Sequence, residues 1–387
     1  MKKYTIFPLL LITIIILGAC APPAPQSIKI GVNAPLTGDI PKVGEGTKYA
    51  AELWLEENNS TINVGGKDYT VELVIEDNES KGESAAAVNT KLITQDEVLV
   101  IVGPQSSKQA VPAGAVANDL ETPMISPWST NPNTTLNRPW VFRTPFLDPF
   151  QGPVVANFVH DEFGFTKAGV LYDIASDYPK GLAEFFKQAW ENISGSGSVV
   201  AYESFTTGDT DFSAQLTKIK DAGAEFIFAP QYYNEVALIV QQARELGFEG
   251  PIVGSDSWGS AELMNLCGDA CKGLFFSTHY AAEGATGATK EFIDKYNAKY
   301  GYVPDDVGAL TWDAFNIVKK AIEDCGTITG DIKADRKCVR DAMANIKEFP
   351  GITGNMTFND QGDPTKCAVI VKISDEGKFT FYKQVCP

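Results

Sequence analysis

Hydroxyl, aromatic and carboxylate side chains follow several Val- and Ile-rich runs of this sequence. They are Ser107, Trp128, Ser129, Thr130, Tyr178, Tyr232, Asp256 and Trp258. Each apolar run predicts a buried parallel strand, and open parallel sheets bind ligands outside the carboxyl ends of their strands. Hydroxyls and helix-start amides suit a carboxylate, an acidic side chain suits an ammonium group, and rings supply apolar walls. Together these residues predict a cleft for a small amphiphilic zwitterion.

Each residue taken alone has a simpler explanation. Ser107 is also a plausible helix cap, Tyr178 and Tyr232 also suit a half-exposed surface, and Asp256 also suits a turn. Trp128 is the hardest to explain this way. It lies in "PMISPWSTNPNTT", where turn-forming neighbours predict a surface loop on which a bare indole gains little.

Sequence signatures of enzymes are missing. The chain has no G-x-S-x-G, H-E-x-x-H or Walker A motif, and neither His160 nor His279 has a recognisable nucleophile partner. The "SGSGS" run at 194–198 resembles a glycine-rich phosphate-binding loop, but no strand precedes it and no helix follows. It is therefore interpreted as a flexible turn. We therefore predict no catalytic residue, metal or cofactor, and an enzyme remains only an alternative.

The N-terminus predicts export. Lys2 and Lys3 precede the apolar run "IFPLLLITIIILGA", which is too short to span a bilayer and is typical of a signal peptide over residues 1–19. "LGAC" resembles the lipobox of bacterial lipoproteins, which implies a lipid on Cys20 and an anchored linker over residues 20–27. An ordinary cleavage site that happens to contain Cys is the alternative.

The net charge argues against two classes of partner. It is −17 for the whole chain and becomes more negative when Lys2 and Lys3 leave with the signal peptide. A surface of this sign repels nucleic acid and anionic lipid, so we expect neither as a partner, and membrane contact through the lipid anchor alone.

Six cysteines besides Cys20 fit an oxidising compartment. Their spacing favours three structural disulfides, Cys267–Cys271, Cys325–Cys338 and Cys367–Cys386. The last pair flanks two alternating strands symmetrically about the turn at 375–378, so the sulfurs should face each other across a hairpin. A zinc site is the alternative, but the chain has no Cys-x-x-Cys pair.

The pattern of strands and helices predicts two doubly wound α/β lobes. Strand-like runs alternate with helical patterns from residue 27, and the alternation restarts after Pro149. From about Tyr280 the chain adds two long helices and the terminal hairpin.

Several motifs, in order, identify a resemblance. They are "IKIGVNAPLTG", "GPQSS", "PMISPWSTNP", "VFRTPFLDPFQGP", "TDFSAQLTKIKDAGAEFIFAP", "IVQQARELGF" and "GNMTFNDQGDP". The chain resembles type I periplasmic binding proteins of the branched-chain amino-acid-binding family of ABC importers. That resemblance implies two parallel-sheet lobes joined by three crossover strands, with lobe 1 at 28–146 plus 279–350 and lobe 2 at 147–278 plus 351–387. The ligand closes the cleft by hinge motion.

The resemblance also implies roles for the site residues. Ser107 and the loop of Trp128, Ser129 and Thr130 would hold a ligand carboxylate. Asp256 would hold its ammonium group, and Tyr178 and Tyr232 would supply aromatic contacts. Family members have a small residue where Trp128 stands, so we expect the Trp128 ring to line the cleft, opposite Trp258.

The function implied is that of a monomeric lipoprotein on the outer face of the cytoplasmic membrane. It would deliver an amino acid or analogue to an ABC permease. A ligand-sensing receptor of the same fold, or transport of a non-amino-acid carboxylate or amide, is the alternative.

Overall fold

The computed structural model describes residues 27–387. The predicted signal peptide and Cys20 lie outside the described residues. Within residues 27–387, no helix combines the length and the apolar character needed to cross a lipid bilayer.

Two larger sheets and one small hairpin contain the strands of the described chain. The strands are Ser27–Ala34 (β1), Thr61–Val64 (β2), Lys67–Asp77 (β3), Val100–Val102 (β4), Met124–Ser126 (β5), Val141–Arg143 (β6), Ala168–Asp173 (β7), Val199–Phe205 (β8), Phe226–Phe228 (β9), Ile252–Gly254 (β10), Phe275–Thr278 (β11), Phe349–Gly351 (β12), Gly354–Met356 (β13), Ala368–Ile373 (β14) and Phe379–Val385 (β15).

Helices alternate with these strands along most of the chain, as the sequence pattern predicts. The α-helices are Pro41–Glu57 (α1), Gly82–Thr94 (α2), Ser107–Asp119 (α3), Asp148–Phe163 (α4), Asp177–Ser194 (α5), Ser213–Asp221 (α6), Tyr233–Glu245 (α7), Glu262–Cys267 (α8), Gly287–Tyr300 (α9), Asp306–Asp324 (α10) and Ile332–Ala344 (α11).

The first sheet has the strand order β2-β3-β1-β4-β5-β6 and is parallel except for the β2–β3 hairpin. Two clusters of buried side chains cover its faces. Ile30 and Val32 pack with Trp54 of α1 and with α10 on one face, whereas Ile101 and Met124 pack with α2 and α3 on the other. The predicted doubly wound architecture is confirmed in this lobe.

The second sheet has the order β15-β14-β11-β10-β9-β7-β8. Its strands from β8 to β11 are parallel, and β14 and β15 add an antiparallel edge. Phe226 and Phe228 of β9 pack against Phe186 and Trp190 of α5, and all four side chains are fully buried. Apolar burial of this kind is the dominant favourable contribution to folding.

The chain passes between the two sheets near residues 144–147, 279–286 and 364–367. The last of these lies later than the expected boundary at residue 350. Met356 and Phe358 pack in the core of the first lobe, and Asp363 pairs with Arg143 of β6 at 2.6 Å. Residues 351–363 therefore lie with lobe 1, and β12 and β13 form a hairpin there instead of a crossover.

The six cysteines of the described chain lie in the three predicted pairs. The sulfurs of Cys267 and Cys271, of Cys325 and Cys338, and of Cys367 and Cys386 are at bonding distance. In the last pair, Ala368 and Val385 are directly opposite in the β14–β15 hairpin, which brings the flanking cysteines together.

Candidate ligand-binding site

Six side chains from both lobes line one small, tightly packed cavity. Ser106, Ser107 and Trp128 come from lobe 1, and Tyr178, Tyr232 and Asp256 come from lobe 2. All six are buried, so the lobes are closed on one another. Five of these six residues were predicted to contact a ligand from their positions after strands.

Neutral hydrogen-bonding groups form the lobe 1 end of the cavity. Ser107 is the first residue of α3, where the opening amides have no partner within the helix and the helix dipole favours an anion. Its Oγ accepts a hydrogen bond from the Asn131 amide at 3.3 Å and shares one of 2.8 Å with Ser129 Oγ. This end can bind a carboxylate without a cationic side chain.

Arg143 holds the loop that carries Trp128, but it does not line the cavity. Its Nη1 donates to the carbonyl oxygens of Ser129 at 2.7 Å and Asn131 at 3.0 Å, and its Nε donates to Asp363. The side chain is fully buried, so these contacts compensate a charge removed from water. The loop is thereby fixed beside the start of α3.

Three aromatic rings form the wall between the two ends. The ring centroids of Trp128 and Tyr232 are 5.9 Å apart, and those of Tyr232 and Tyr178 are 5.6 Å apart. Trp128 Nε1 donates to Asp306 Oδ2 at 3.3 Å, which fixes the orientation of the indole. The loop tryptophan is thus only 5% exposed, and it packs against the core of the opposite lobe.

A buried carboxylate, Asp256, forms the lobe 2 end. Its Oδ1 accepts hydrogen bonds from Tyr178 Oη at 2.6 Å and Gln151 Nε2 at 2.7 Å. Its Oδ2 has a longer contact of 3.4 Å with His279 Nε2. Burial lowers the pKa of His279, so this imidazole is neutral at neutral pH. Among residues 27–387, no Lys or Arg forms an ion pair with Asp256, which leaves its charge available to a ligand.

Asp256, His279 and Asp306 are the described side chains best placed to hold a cation. One ligand atom of each lies within 4.8 Å of the others, and all three residues are buried. Burial, followed by the nearby charge of Asp256, raises the pKa of Asp306 well above its ordinary value. The cluster therefore carries less negative charge at neutral pH than two carboxyl groups suggest.

Three predicted contacts differ from expectation. Ser129 and Thr130 lie behind the cavity wall: Ser129 Oγ bridges Ser107 and Thr134, and the Thr130 carbonyl accepts from the Asp148 amide. Trp258 is not opposite Trp128. It is fully buried beneath the end of β10, where its Nε1 donates to the Ala229 carbonyl at 3.1 Å.

Trp258 occupies its buried position because Gly254 has no side chain. A Cβ at Gly254 would lie 2.1 Å from the indole ring, so the absence of a side chain there admits the tryptophan into the core of lobe 2. Trp258 therefore supports the turn that carries Asp256 instead of contacting a ligand.

Sequence reasoning missed four residues of the site. Ser106 lies next to a predicted residue, and Gln151 lies in the quoted "FQGP" stretch. His279 and Asp306 had no such signal, because only the tertiary fold brings the second crossing and the start of α10 next to Asp256.

A larger cavity, of about 570 Å³, lies on another side of Asp306 and opens to solvent. Its walls are mainly apolar and include Phe276, Ile293 and Phe379. We assign the candidate site to the smaller cavity because neutral donors and a charged acceptor converge there.

Known proteins with similar sequences and folds extend over nearly the whole chain. A family model described as periplasmic binding protein matches residues 27–378. The leucine-, isoleucine-, valine-, threonine- and alanine-binding protein of Pseudomonas aeruginosa is 31% identical over 343 residues, which cover 88% of each chain.

Two solved structures agree with this similarity. A leucine-binding protein from Thermotoga maritima superposes with a TM-score of 0.86 and 33% identity, over 93% of this chain and 99% of that one. A branched-chain amino acid transporter substrate-binding protein from Streptococcus pneumoniae, in complex with isoleucine, superposes with a TM-score of 0.84 and 33% identity. The match covers 94% of this chain and 100% of that one. The chain therefore belongs to the periplasmic binding protein family of non-catalytic, solute-binding proteins, in the type I branch that contains the branched-chain amino-acid-binding proteins.

Proposed function

We propose that this protein is the substrate-binding lipoprotein of an ABC importer and that it binds an amino acid or an amino-acid-like molecule between its lobes. One observation carries the proposal. One small cavity between the lobes has neutral hydrogen-bond donors at one end, the buried Asp256 carboxylate at the other, and three aromatic rings between them. A zwitterion needs this arrangement.

The ligand carboxylate would accept hydrogen bonds from Ser107 and from the first amides of α3. Its ammonium group would donate to Asp256 Oδ2, near the faces of Tyr178 and Tyr232, where a cation also gains from the ring quadrupole. The Trp128 ring would contact the apolar part of the ligand. The relatives that bind leucine, isoleucine and valine support the amino-acid class.

Transport requires that ligand binding changes the shape of the protein. We infer that residues 28–146 and 279–363 move as lobe 1, that the remaining residues move as lobe 2, and that the three crossings act as the hinge. The permease would recognise the closed form. A lipid on Cys20 would keep the exported monomer on the outer face of the cytoplasmic membrane.

A thermal-shift screen of the mature chain, with Cys20 replaced, tests the ligand class. A ligand that binds only the folded state raises the melting temperature by mass action, by an amount that grows with its concentration. We expect shifts with free amino acids but not with their amides or their N-acetyl derivatives, because each derivative lacks one of the two charges. Shifts with small carboxylates or amides alone, and with no amino acid, would contradict the proposal.

A further inference from the structure

A second cavity adjoins the ligand site. It has room for about one water-sized group, a volume of about 20 Å³, and shares two wall residues, Ser106 and Tyr232, with the first cavity. Asp39 and Lys108 of lobe 1 and Asp173, Ser176 and Glu235 of lobe 2 also line it; we call it the outer chamber. Because both lobes contribute, the outer chamber forms when the cleft closes.

Three buried polar atoms of the outer chamber have no hydrogen-bond partner. They are Tyr232 Oη, Ser176 Oγ and Glu235 Oε2, on residues that are 8%, 2% and 5% exposed. The Tyr232 hydroxyl lies near those of Ser106 and Ser176 without a well-formed bond to either. An unsatisfied buried polar group destabilises a protein, so a cavity with three of them indicates a polar occupant.

The charges of the outer chamber favour a cation. Three carboxyl groups face one ammonium group, that of Lys108, whose Nζ points across the cleft to Thr207 Oγ1 at 3.5 Å. Asp173 is already satisfied by the amides of Ala175 and Thr207 and by the Thr207 hydroxyl. Oε2 of Glu235 is not: it has no hydrogen-bond partner among residues 27–387.

The pKa of Glu235 reflects its burial close to other carboxyl groups. Burial, together with the negative charges of Asp173 and Asp39, raises the pKa of the Glu235 carboxyl to about 7. A ligand cation beside it would offset both the burial and the like charges. Glu235 also lies in the first turn of α7, where an acidic side chain stabilises the helix. That role affects stability and does not distinguish one ligand from another.

We propose that the outer chamber is the side-chain subsite of the cleft and that it takes a flexible chain ending in a cation, as in a basic amino acid. The inference rests on the proposed amino-acid function. The α-groups would occupy the cavity between Ser107 and Asp256, and the chain would pass Tyr232 so that its terminal ammonium or guanidinium group pairs with Glu235. Tyr232 and Ser176 would accept its remaining hydrogen bonds.

The test compares L-lysine and L-arginine with L-norleucine, which has the carbon chain of lysine without the terminal ammonium group. Binding to the full-length protein, purified in detergent, is measured by isothermal titration calorimetry. We expect one of the basic amino acids to bind roughly tenfold or more tightly than norleucine, because only the basic side chain can make a charged hydrogen bond to Glu235.

The variant Glu235→Gln keeps the shape of the side chain and removes its charge. We expect it to lose the preference for the basic amino acid over norleucine. Glu245→Gln, on an exposed position of the same helix, is the matched control and should retain the preference.

The outcomes separate the two proposals. If leucine or norleucine binds at least as tightly as lysine and arginine, or if Glu235→Gln keeps the preference, the outer chamber is only a hydrated space and this inference is wrong. If no amino acid binds at all, the proposed function is wrong as well.

Discussion

The two ends of the ligand cavity are built to hold opposite charges by different means. At the lobe 1 end, Ser107 and the opening amides of α3 offer several neutral donors. At the lobe 2 end, one carboxylate, that of Asp256, is oriented by Tyr178 and Gln151. The backbone supplies donors for an anion at any helix start, whereas a cation needs acceptors that a neutral helix start lacks. Loss of one group should therefore matter far more at the Asp256 end.

Removing the charge of Asp256 should give the largest effect. In Asp256→Asn the ligand ammonium loses its counter-charge in a buried site, which costs about 3 kcal/mol or more, so affinity should fall roughly hundredfold. Calorimetric titration with the best amino acid from the screen measures it. Glu249→Gln, at an exposed position of the same lobe, is the control; unchanged binding in Asp256→Asn would mean that the ammonium group lies elsewhere.

The second prediction tests whether the lobe 1 end of the ligand cavity is electrically neutral. Asp148 is fully buried beside the Thr130 loop, and burial raises its pKa to about 8. The folded chain therefore keeps a proton that the unfolded chain releases near pH 4. The contribution of Asp148 to the free energy of unfolding therefore falls as the pH rises from about 4 to about 8. The fall is on the order of 1 kcal/mol per pH unit.

Asp148→Asn should remove this dependence. Urea denaturation at pH 5 and pH 8 should show the variant gaining stability relative to the wild type as the pH rises. Asp221→Asn, at an exposed position, should show no such gain. A constant difference between Asp148→Asn and the wild type at both pH values would mean that Asp148 is already ionised, and that the lobe 1 end is not neutral.

The third prediction addresses the wall between the two ends. Trp128→Ala should weaken binding by about 2 kcal/mol, roughly thirtyfold, because a large buried ring is removed from the contact. Trp128→Phe keeps one aromatic ring and loses the hydrogen bond to Asp306 and part of the ring area, so its loss of affinity should be smaller. Equal affinities of Trp128→Ala and the wild type would show that the ring packs the lobes together without touching the ligand.

Ser107→Ala should have the smallest effect. One neutral hydrogen bond contributes about 1 kcal/mol, so the affinity should fall roughly fivefold while the amides of α3 remain. Calorimetric titration of Ser107→Ala and Asp256→Asn with the same amino acid gives the ratio of their losses of affinity. If Ser107→Ala costs as much as Asp256→Asn, the two ends do not differ in the way proposed here.

The sequence predicted most of the architecture because local patterns determine it. Val- and Ile-rich runs separated by helical patterns leave a parallel sheet as the way to bury both faces. Residues that follow such strands must reach the same edge, which is why Ser107, Tyr178 and Asp256 line one cavity. The symmetric spacing of Cys367 and Cys386 about a turn determined their pairing in the same way.

Contacts between residues far apart in the chain were decided only by the tertiary structure. Trp258 also follows a strand, but the space above Gly254 draws its ring into the core, and no pattern in the sequence reveals that space. The third crossing lies later than predicted because Met356 and Phe358 are buried in the core of lobe 1. Asp306 reaches Trp128 from 178 residues away. Periodicity reports which face of an element is buried, and only packing determines what that face meets.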